Sequence, residues 1–354
     1  MPKLNKKVFV GLSGGVDSSV AALRLKRAGY DVVGVFIKVW QPDFLECDSE
    51  KDRLDAMRAA AHLEIPFLIL DAAEEYRRDV GEYFIKEYES GRTPNPDVMC
   101  NRYVKFGAFW RFAKEHGADY IATGHYARVI EEDGHYHLHR GVDSAKDQSY
   151  FLWTLTEEDL AHTLFPIGDT LKEKIRAEAA AANLPTATRK DSQGICFLGH
   201  VDIPEFIGHF VDLKEGSVID RSGKAIGTHQ GALVYTLGQR HGFSVSVANG
   251  DTKPYFVVDK DITKNTITVD TEPASLLPKE KVLLEGVSFV ETKPAFKTEM
   301  EAQFRYRQKP FLVTLQGSKD NLALETSSDV PMPDSGQSVV FYEADRLIGG
   351  AVIK

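Results

Sequence analysis

Residues 11–19, GLSGGVDSS, hold the densest group of side chains in the chain suited to an anion. Gly14 and Gly15 let the backbone approach a phosphate with no Cβ in the way, and Ser13, Ser18 and Ser19 offer hydroxyl donors. Asp17 has the charge to reach a metal ion that travels with phosphates. The apolar run Val8-Phe9-Val10 ahead of this stretch reads as a strand, and Val16, Val20 and Leu23 fall at helical spacing after it. A strand that turns through small residues into a helix points backbone N–H groups outward, where the helix dipole adds partial positive charge. Two better-known phosphate loops are excluded. No lysine follows the turn, as G-x-x-x-x-G-K-[ST] requires, and the turn lacks G-x-G-x-x-G. The competing reading is a Gly/Ser connection in an α/β unit with no ligand.

The thiols form the second group. Cys100 lies in GRTPNPDVMCNRYVKFG, where Pro94 and Pro96 stiffen an extended segment. The pattern predicts a helix beginning just after Cys100, with Asn101 as its cap, so that the dipole favours the reactive thiolate. Asp97, three residues earlier, is placed to act as general acid or base. The opposing reading is a buried, inert cysteine. Cys196 lies in RKDSQGICFLGH, and the residues leave two readings open: core, from Ile195, Phe197 and Leu198, or loop, from the turn-like Asp191-Ser192-Gln193-Gly194. Cys47 reads as a spare thiol in the polar stretch 41–50.

Lys146-Asp147-Gln148, Arg305-Tyr306-Arg307 and Gly238–Gly242 (GQRHG) have the chemistry to contact phosphate or base edges, and equally that of solvated surface. The five histidines from His125 to His162 have no metal-ligand spacing, and no metal site is expected.

The elements that must position these residues begin as alternating strands and helices. After the first strand and helix, strands are expected at Tyr30–Trp40, Ile65–Leu70 and Tyr120–Thr123, and helices at Lys51–Leu63, Ala73–Tyr88, Arg102–His116 and Leu171–Ala182. Alternation of this kind implies a doubly wound, Rossmann-like parallel sheet, with ligands at the carboxyl ends of its strands. Gly11–Ser19, Ile37–Trp40 and Thr123–His125 all fall at such ends. Beyond about residue 215 short β-rich runs take over: Ala232–Leu237, Pro254–Asp259, Thr266–Asp270, Val282–Phe289, Phe311–Leu315, Ser338–Tyr342 and Leu347–Ile353. The expected organisation is therefore an α/β domain over 1–205, a β-rich domain over 206–278, and a barrel-like β domain over 279–354.

At 354 residues the chain has length for two or three cores, and 43% hydrophobic with 27% charged residues is ordinary for a globular protein. No apolar run is long enough to span a bilayer, and the first strand follows MPKLNKK with no room for a signal peptide, so a cytoplasmic, reducing location is expected. The three cysteines lack C-x-x-C spacing and read as thiols. A net charge of −9 argues against nucleic acid as a partner unless a basic stripe sits on the acidic body.

The stretch SGGVDSS resembles the loop of the N-type ATP pyrophosphatases, which split ATP between its α and β phosphates. Taken together, SGGVDSS, GRTPNPDVMCN, ATGHYAR, KDQSYFL, KDSQGICFLG, YTLGQRHG, YFVVDKD, RYRQ and LIGGAVI resemble, in order and over essentially the whole chain, the tRNA-specific 2-thiouridylases. The resemblance implies ATP-dependent replacement of oxygen by sulfur at carbon 2 of the wobble uridine. It implies that Gly11, Leu12, Ser13, Gly14, Gly15, Val16, Asp17, Ser18, Ile37 and Gly124 hold ATP, with Mg²⁺. Asn95, Pro96 and Asp97 would meet the target base, Cys100 would be the nucleophile, and Cys196 the persulfide carrier. Lys146, Asp147, Gln148, Arg305 and Tyr306 would touch the tRNA anticodon stem-loop. It further implies a transient Cys100–Cys196 disulfide, a cysteine desulfurase or sulfur-relay protein as donor, and a monomer. A variant chemistry has Asp97, Cys100 and Cys196 ligating an iron–sulfur cluster, against which stands the lack of clustered cysteines. The rival functions are an amidating synthetase, which has no use for paired cysteines, and a nucleotide-binding module without catalysis.

Overall fold

The computed structural model describes residues 6–45, 49–191, 194, 202–246, 253–276, 280–290, 299–318, 321–327 and 329–354. Cys47, Cys196 and the boundary at residue 278 lie outside the described residues.

Val8, Phe9 and Val10 are all buried, which is possible only for a strand covered on both faces. They belong to β1 (Lys7–Gly11), followed by α1 (Val16–Arg27), β2 (Asp31–Lys38), α2 (Ser49–His62), β3 (Phe67–Asp71) and β4 (Tyr120–Ala122). Next come β5 (Ala127–Glu132), β6 (His135–Arg140) and β7 (Thr163–Leu164). Strands β3-β2-β1-β4-β7 form one parallel sheet. Alternate residues of β1 feed two cores. Val8 and Val10 pack with α1, α2 and the helix Lys172–Ala181, while Phe9 packs with the helical segments on the opposite face. The expected doubly wound architecture is thus present, and the strand order reverses between β1 and its neighbours β2 and β4, opening a crevice at their carboxyl ends.

The second core is closed by two long helical runs, each broken by a stretch of π-helix. One comprises Ala73–Tyr76, Arg77–Gly81 and Glu82–Glu89, and the other Pro96–Met99, Cys100–Ala108 and Phe109–Glu115. The second run corrects the sequence reading. Its helix starts at Pro96, not after Cys100, because proline needs no N–H partner at a first helical position and the Asn95 side chain accepts the Val98 amide as the cap. Cys100 is consequently one turn inside the helix. Asn101 is no cap; its side-chain nitrogen donates to the Phe151 carbonyl at 3.0 Å.

The strand–helix alternation also breaks earlier than expected. Strands β5 and β6 form an antiparallel hairpin around Asp133 and Gly134, both with positive φ. β6 then pairs with the final strand Arg346–Ile353. That strand closes a six-stranded barrel of Lys281–Phe289, Asn321–Thr326, Phe311–Ser318, Glu299–Gln303, Ser338–Glu343 and Arg346–Ile353. The hairpin therefore welds the nucleotide-type sheet to the barrel. Between them lies a five-stranded sheet of residues 216–270. Ala232–Val234, expected as strand, is a short 3₁₀ turn, because Gly231 at φ +142° redirects the chain. No described helix is long and apolar enough to cross a membrane.

Candidate active site

The loop between β1 and α1 is held open by its own hydroxyls. Ser18 Oγ accepts the Ser13 amide at 3.2 Å, and Ser19 Oγ donates to the Gly15 carbonyl at 2.8 Å. No side chain caps α1, whose Ncap is Gly15, so its first amides are left for an acceptor from outside. Two glycines are required by contact. A Cβ on Gly14, at φ +77°, would sit 2.5 Å from the Asp52 carbonyl oxygen of α2. One on Gly124 would sit 2.7 Å from the Ser18 amide nitrogen. Ile37 and Phe109 flank Gly11, lying 3.9 Å and 3.6 Å from where its Cβ would be. The structure thus brings together Gly11, Leu12, Ser13, Gly14, Gly15, Val16, Asp17, Ser18, Ile37 and Gly124 at the sheet's switch point.

Asp17 is not left free for a metal. Lys172 Nζ donates to both its oxygens, at 2.8 and 2.7 Å, and the Tyr126 hydroxyl donates to it at 2.8 Å. Lys172 is also 2.9 Å from Asp191, which pairs in turn with Lys146 at 2.7 Å and Arg176 at 2.5 Å. Burial alone would raise the Asp191 carboxyl, but hydrogen bonds from Lys146 and Lys172 outweigh it and hold it well below the usual carboxylate range. Lys172 opens the alanine-rich helix with nothing local to mark it, yet it supplies a buried cation beside a loop that lacks its own. His125 is hydrogen-bonded to Thr123 at 2.7 Å, and burial, with the Lys105 charge adding to it, pushes its pKa well below the ordinary histidine value.

Cys100 is fully buried in the core that faces β1, among Val98, Val104 and Phe106. It is a free thiol. The polar, dipole-activated setting expected from the sequence is absent here, since the helix begins a turn earlier. Its helix nevertheless links two places. At one end Phe109 abuts the nucleotide loop, and at the other Asn95 lines a cleft of about 170 Å³ with Pro94, Tyr150, Phe151, Arg305 and Tyr306. Tyr306 lies 4.7 Å from Phe151, ring centre to ring centre. The Tyr150 hydroxyl bridges the Phe304 and Ser338 carbonyls at 2.9 and 3.0 Å. With liquid water occupying roughly 30 Å³ per molecule, the cleft has the scale of one planar base. Tyr150→Phe should destabilise the fold by about 1–3 kcal/mol, by removing the one O–H donor that these two carbonyls share, and urea denaturation reads this directly.

The residues expected at RNA divide by position. Asn95, Arg305 and Tyr306 share the cleft, whereas Pro96 is buried and Asp97 half-buried on the first turn of the Cys100 helix. Lys146 and Gln148 are half-buried on a turn just before the aromatic pair. Asp147 departs from expectation: it is buried, and its carboxylate accepts from Arg140, Gly141 and Ser149. The polar triplet is the conspicuous feature in the sequence, while the aromatic pair Tyr150-Phe151, one residue beyond it, is the signal missed.

A glycine–serine loop at the switch point of a parallel sheet, joined to two β-rich units, defines a nucleotide-binding α/β protein with appended domains. Family models match the whole of this layout: "tRNA methyl transferase HUP domain" over residues 6–200, "tRNA methyl transferase PRC-barrel domain" over 204–271, and "Aminomethyltransferase beta-barrel domain" over 279–353. The tRNA-specific 2-thiouridylase MnmA of Francisella tularensis subsp. novicida is 44% identical over 357 residues, covering 99% of each chain. That of Lactococcus lactis subsp. cremoris is 42% identical, covering 98% of this chain and 94% of the relative. A solved 4-thiouridine synthetase–RNA complex with bound ATP matches 58% of this chain and 50% of its own at 19% identity and TM-score 0.35. The chain belongs to the tRNA-specific 2-thiouridylase family.

Proposed function

We propose that this protein, in the cytoplasm, uses ATP to replace oxygen by sulfur at carbon 2 of the wobble uridine in tRNA. The observation that carries this reading is one helix with a base-sized aromatic cleft at its start, Cys100 one turn in, and the nucleotide loop against its Phe109. A uridine reaches such a cleft only when flipped out of its stack.

A carbonyl oxygen is a poor leaving group. In this reading the carbon 2 oxygen attacks the α-phosphorus of ATP and displaces pyrophosphate, which the α1 amides receive. ATP arrives as its Mg²⁺ complex, with the metal carried on the phosphates. Lys172, paired with both Asp17 oxygens, adds positive charge beside the loop that receives the phosphates. The terminal sulfur of a persulfide on Cys196, loaded by a cysteine desulfurase or a relay protein, attacks carbon 2, and AMP leaves with the old oxygen. The Cys100 thiolate then attacks the Cys196 sulfur. This frees the thiocarbonyl and forms a Cys100–Cys196 disulfide that an external thiol reduces. Asp97 serves as the nearby acid or base. Because Cys100 is fully buried, RNA binding must move the first turn of its helix to expose the thiol. The π-helical stretch beginning at Cys100 is a place where such an adjustment is cheap.

Mass analysis of nucleosides from tRNA incubated with the protein, ATP, Mg²⁺ and a sulfide or persulfide source tests the function. A uridine heavier by the difference between sulfur and oxygen is expected, in iron-free buffer as well. A product heavier by one methylene, or an aminated one, would contradict it.

A further inference from the structure

The Lys146–Gln148 turn and the Arg305–Tyr306 turn belong to different units, yet one polar chain joins them through Arg140. This residue ends β6, the strand that extends the barrel sheet. Its Nη1 donates to Asp147 at 3.1 Å and to the Gln303 side-chain oxygen at 3.2 Å. Asp147 fixes the first turn, accepting from the Gly141 amide and from the Ser149 amide and hydroxyl. Gln303 fixes the second by donating to the Gln308 carbonyl, and Gln308 accepts the Phe304 and Arg305 amides at 2.8 and 3.1 Å.

The guanidinium lies 3.5 Å over the Tyr342 ring, and its Nη2 is buried with no hydrogen-bond partner among the described residues. A half-buried cation with one buried nitrogen unused is a poor device for stability alone, since it carries part of the desolvation cost without the bond that would offset it. What the guanidinium over Tyr342 does provide is one nitrogen fastened to acceptors on two units.

We propose that Arg140 is a positioning residue for RNA recognition, setting the spacing between the two turns so that both grip one RNA. The inference rests on the reading that these turns meet tRNA. Two contacts on a rigid strut reinforce each other through effective concentration, and a loosened strut forfeits that gain.

Steady-state thiolation and direct tRNA binding by the full chain test it. Arg140→Gln should raise the tRNA KM about tenfold or more, with kcat held within about threefold and the ATP KM unchanged. Arg140→Lys keeps the charge but not the planar guanidinium seated over the Tyr342 ring, so its ammonium loses the position between the two acceptors and should behave like Arg140→Gln. Gln303→Ala leaves the cation and Asp147 paired and should shift the tRNA KM in the same direction; it decides the matter if Arg140→Gln does not fold. Restoration by lysine would mean that charge alone attracts the RNA. Parallel loss in kcat, tRNA KM and ATP KM would mean a merely structural role. Either result, or an unchanged tRNA KM in Gln303→Ala, overturns the inference. A wild-type protein that binds no tRNA overturns instead the reading beneath it.

Discussion

Cys100→Ala should abolish thiolation, lowering turnover by at least about 10³-fold, as loss of a nucleophile does, while tRNA and ATP affinities stay within about threefold. Burial makes this a sharp test. Cys100 is 0% exposed and packed among apolar neighbours, so alanine removes a well-fitted sulfur and should cost about 1 kcal/mol of stability. A purely structural thiol would therefore show a small fall in melting temperature and near-normal turnover. A catalytic one shows that same small fall with turnover gone. Cys196→Ala should match it when a persulfide protein is the donor. Normal product formation by either variant would remove the two-thiol scheme.

Gly124→Ala should weaken ATP binding by about 10–100-fold and destabilise the protein by about 1–3 kcal/mol. The added Cβ would lie 2.7 Å from the Ser18 nitrogen and 2.9 Å from the Asp17 carbonyl carbon, and both are backbone atoms that cannot swing aside. The start of α1 has to move, and its amides leave the positions from which they would hold phosphate. Gly117→Ala is the control. It has φ +79° and open space around its Cβ, so it carries backbone strain without the collision and should leave ATP affinity unchanged. Calorimetric titration with a non-hydrolysable ATP analogue separates the two; equal affinity in both variants would show that the loop's seat against Gly124 is not part of the nucleotide site.

The nucleotide loop was legible because its chemistry is local: glycine, hydroxyl and strand–helix pattern all sit within residues 8–23. The same holds for the strand Thr266–Asp270, whose alternation gave its ends directly. What the sequence hid was tertiary. Lys172 meets Asp17 across 155 residues, and nothing around either predicts the other. The hairpin of β5 and β6 carried a visible Asp133-Gly134 turn, but a parallel α/β reading has no slot for a hairpin there; its pairing with residues 346–347 explains why it exists. The start of the Cys100 helix is misplaced because Pro96 reads as a stiffener of extended chain, when proline is equally a helix initiator. Asp147 was grouped with its neighbours by charge, whereas burial assigns it to the interior.

The central claim is that ATP converts the uridine carbonyl oxygen into a leaving group. It is tested most directly with tRNA carrying oxygen-18 at carbon 2 of the wobble uridine, followed by mass analysis of the AMP released. Label in the AMP, in step with 2-thiouridine formed, is the expected result. Unlabelled AMP accompanying thiolation would mean that ATP is spent elsewhere, and would contradict the account.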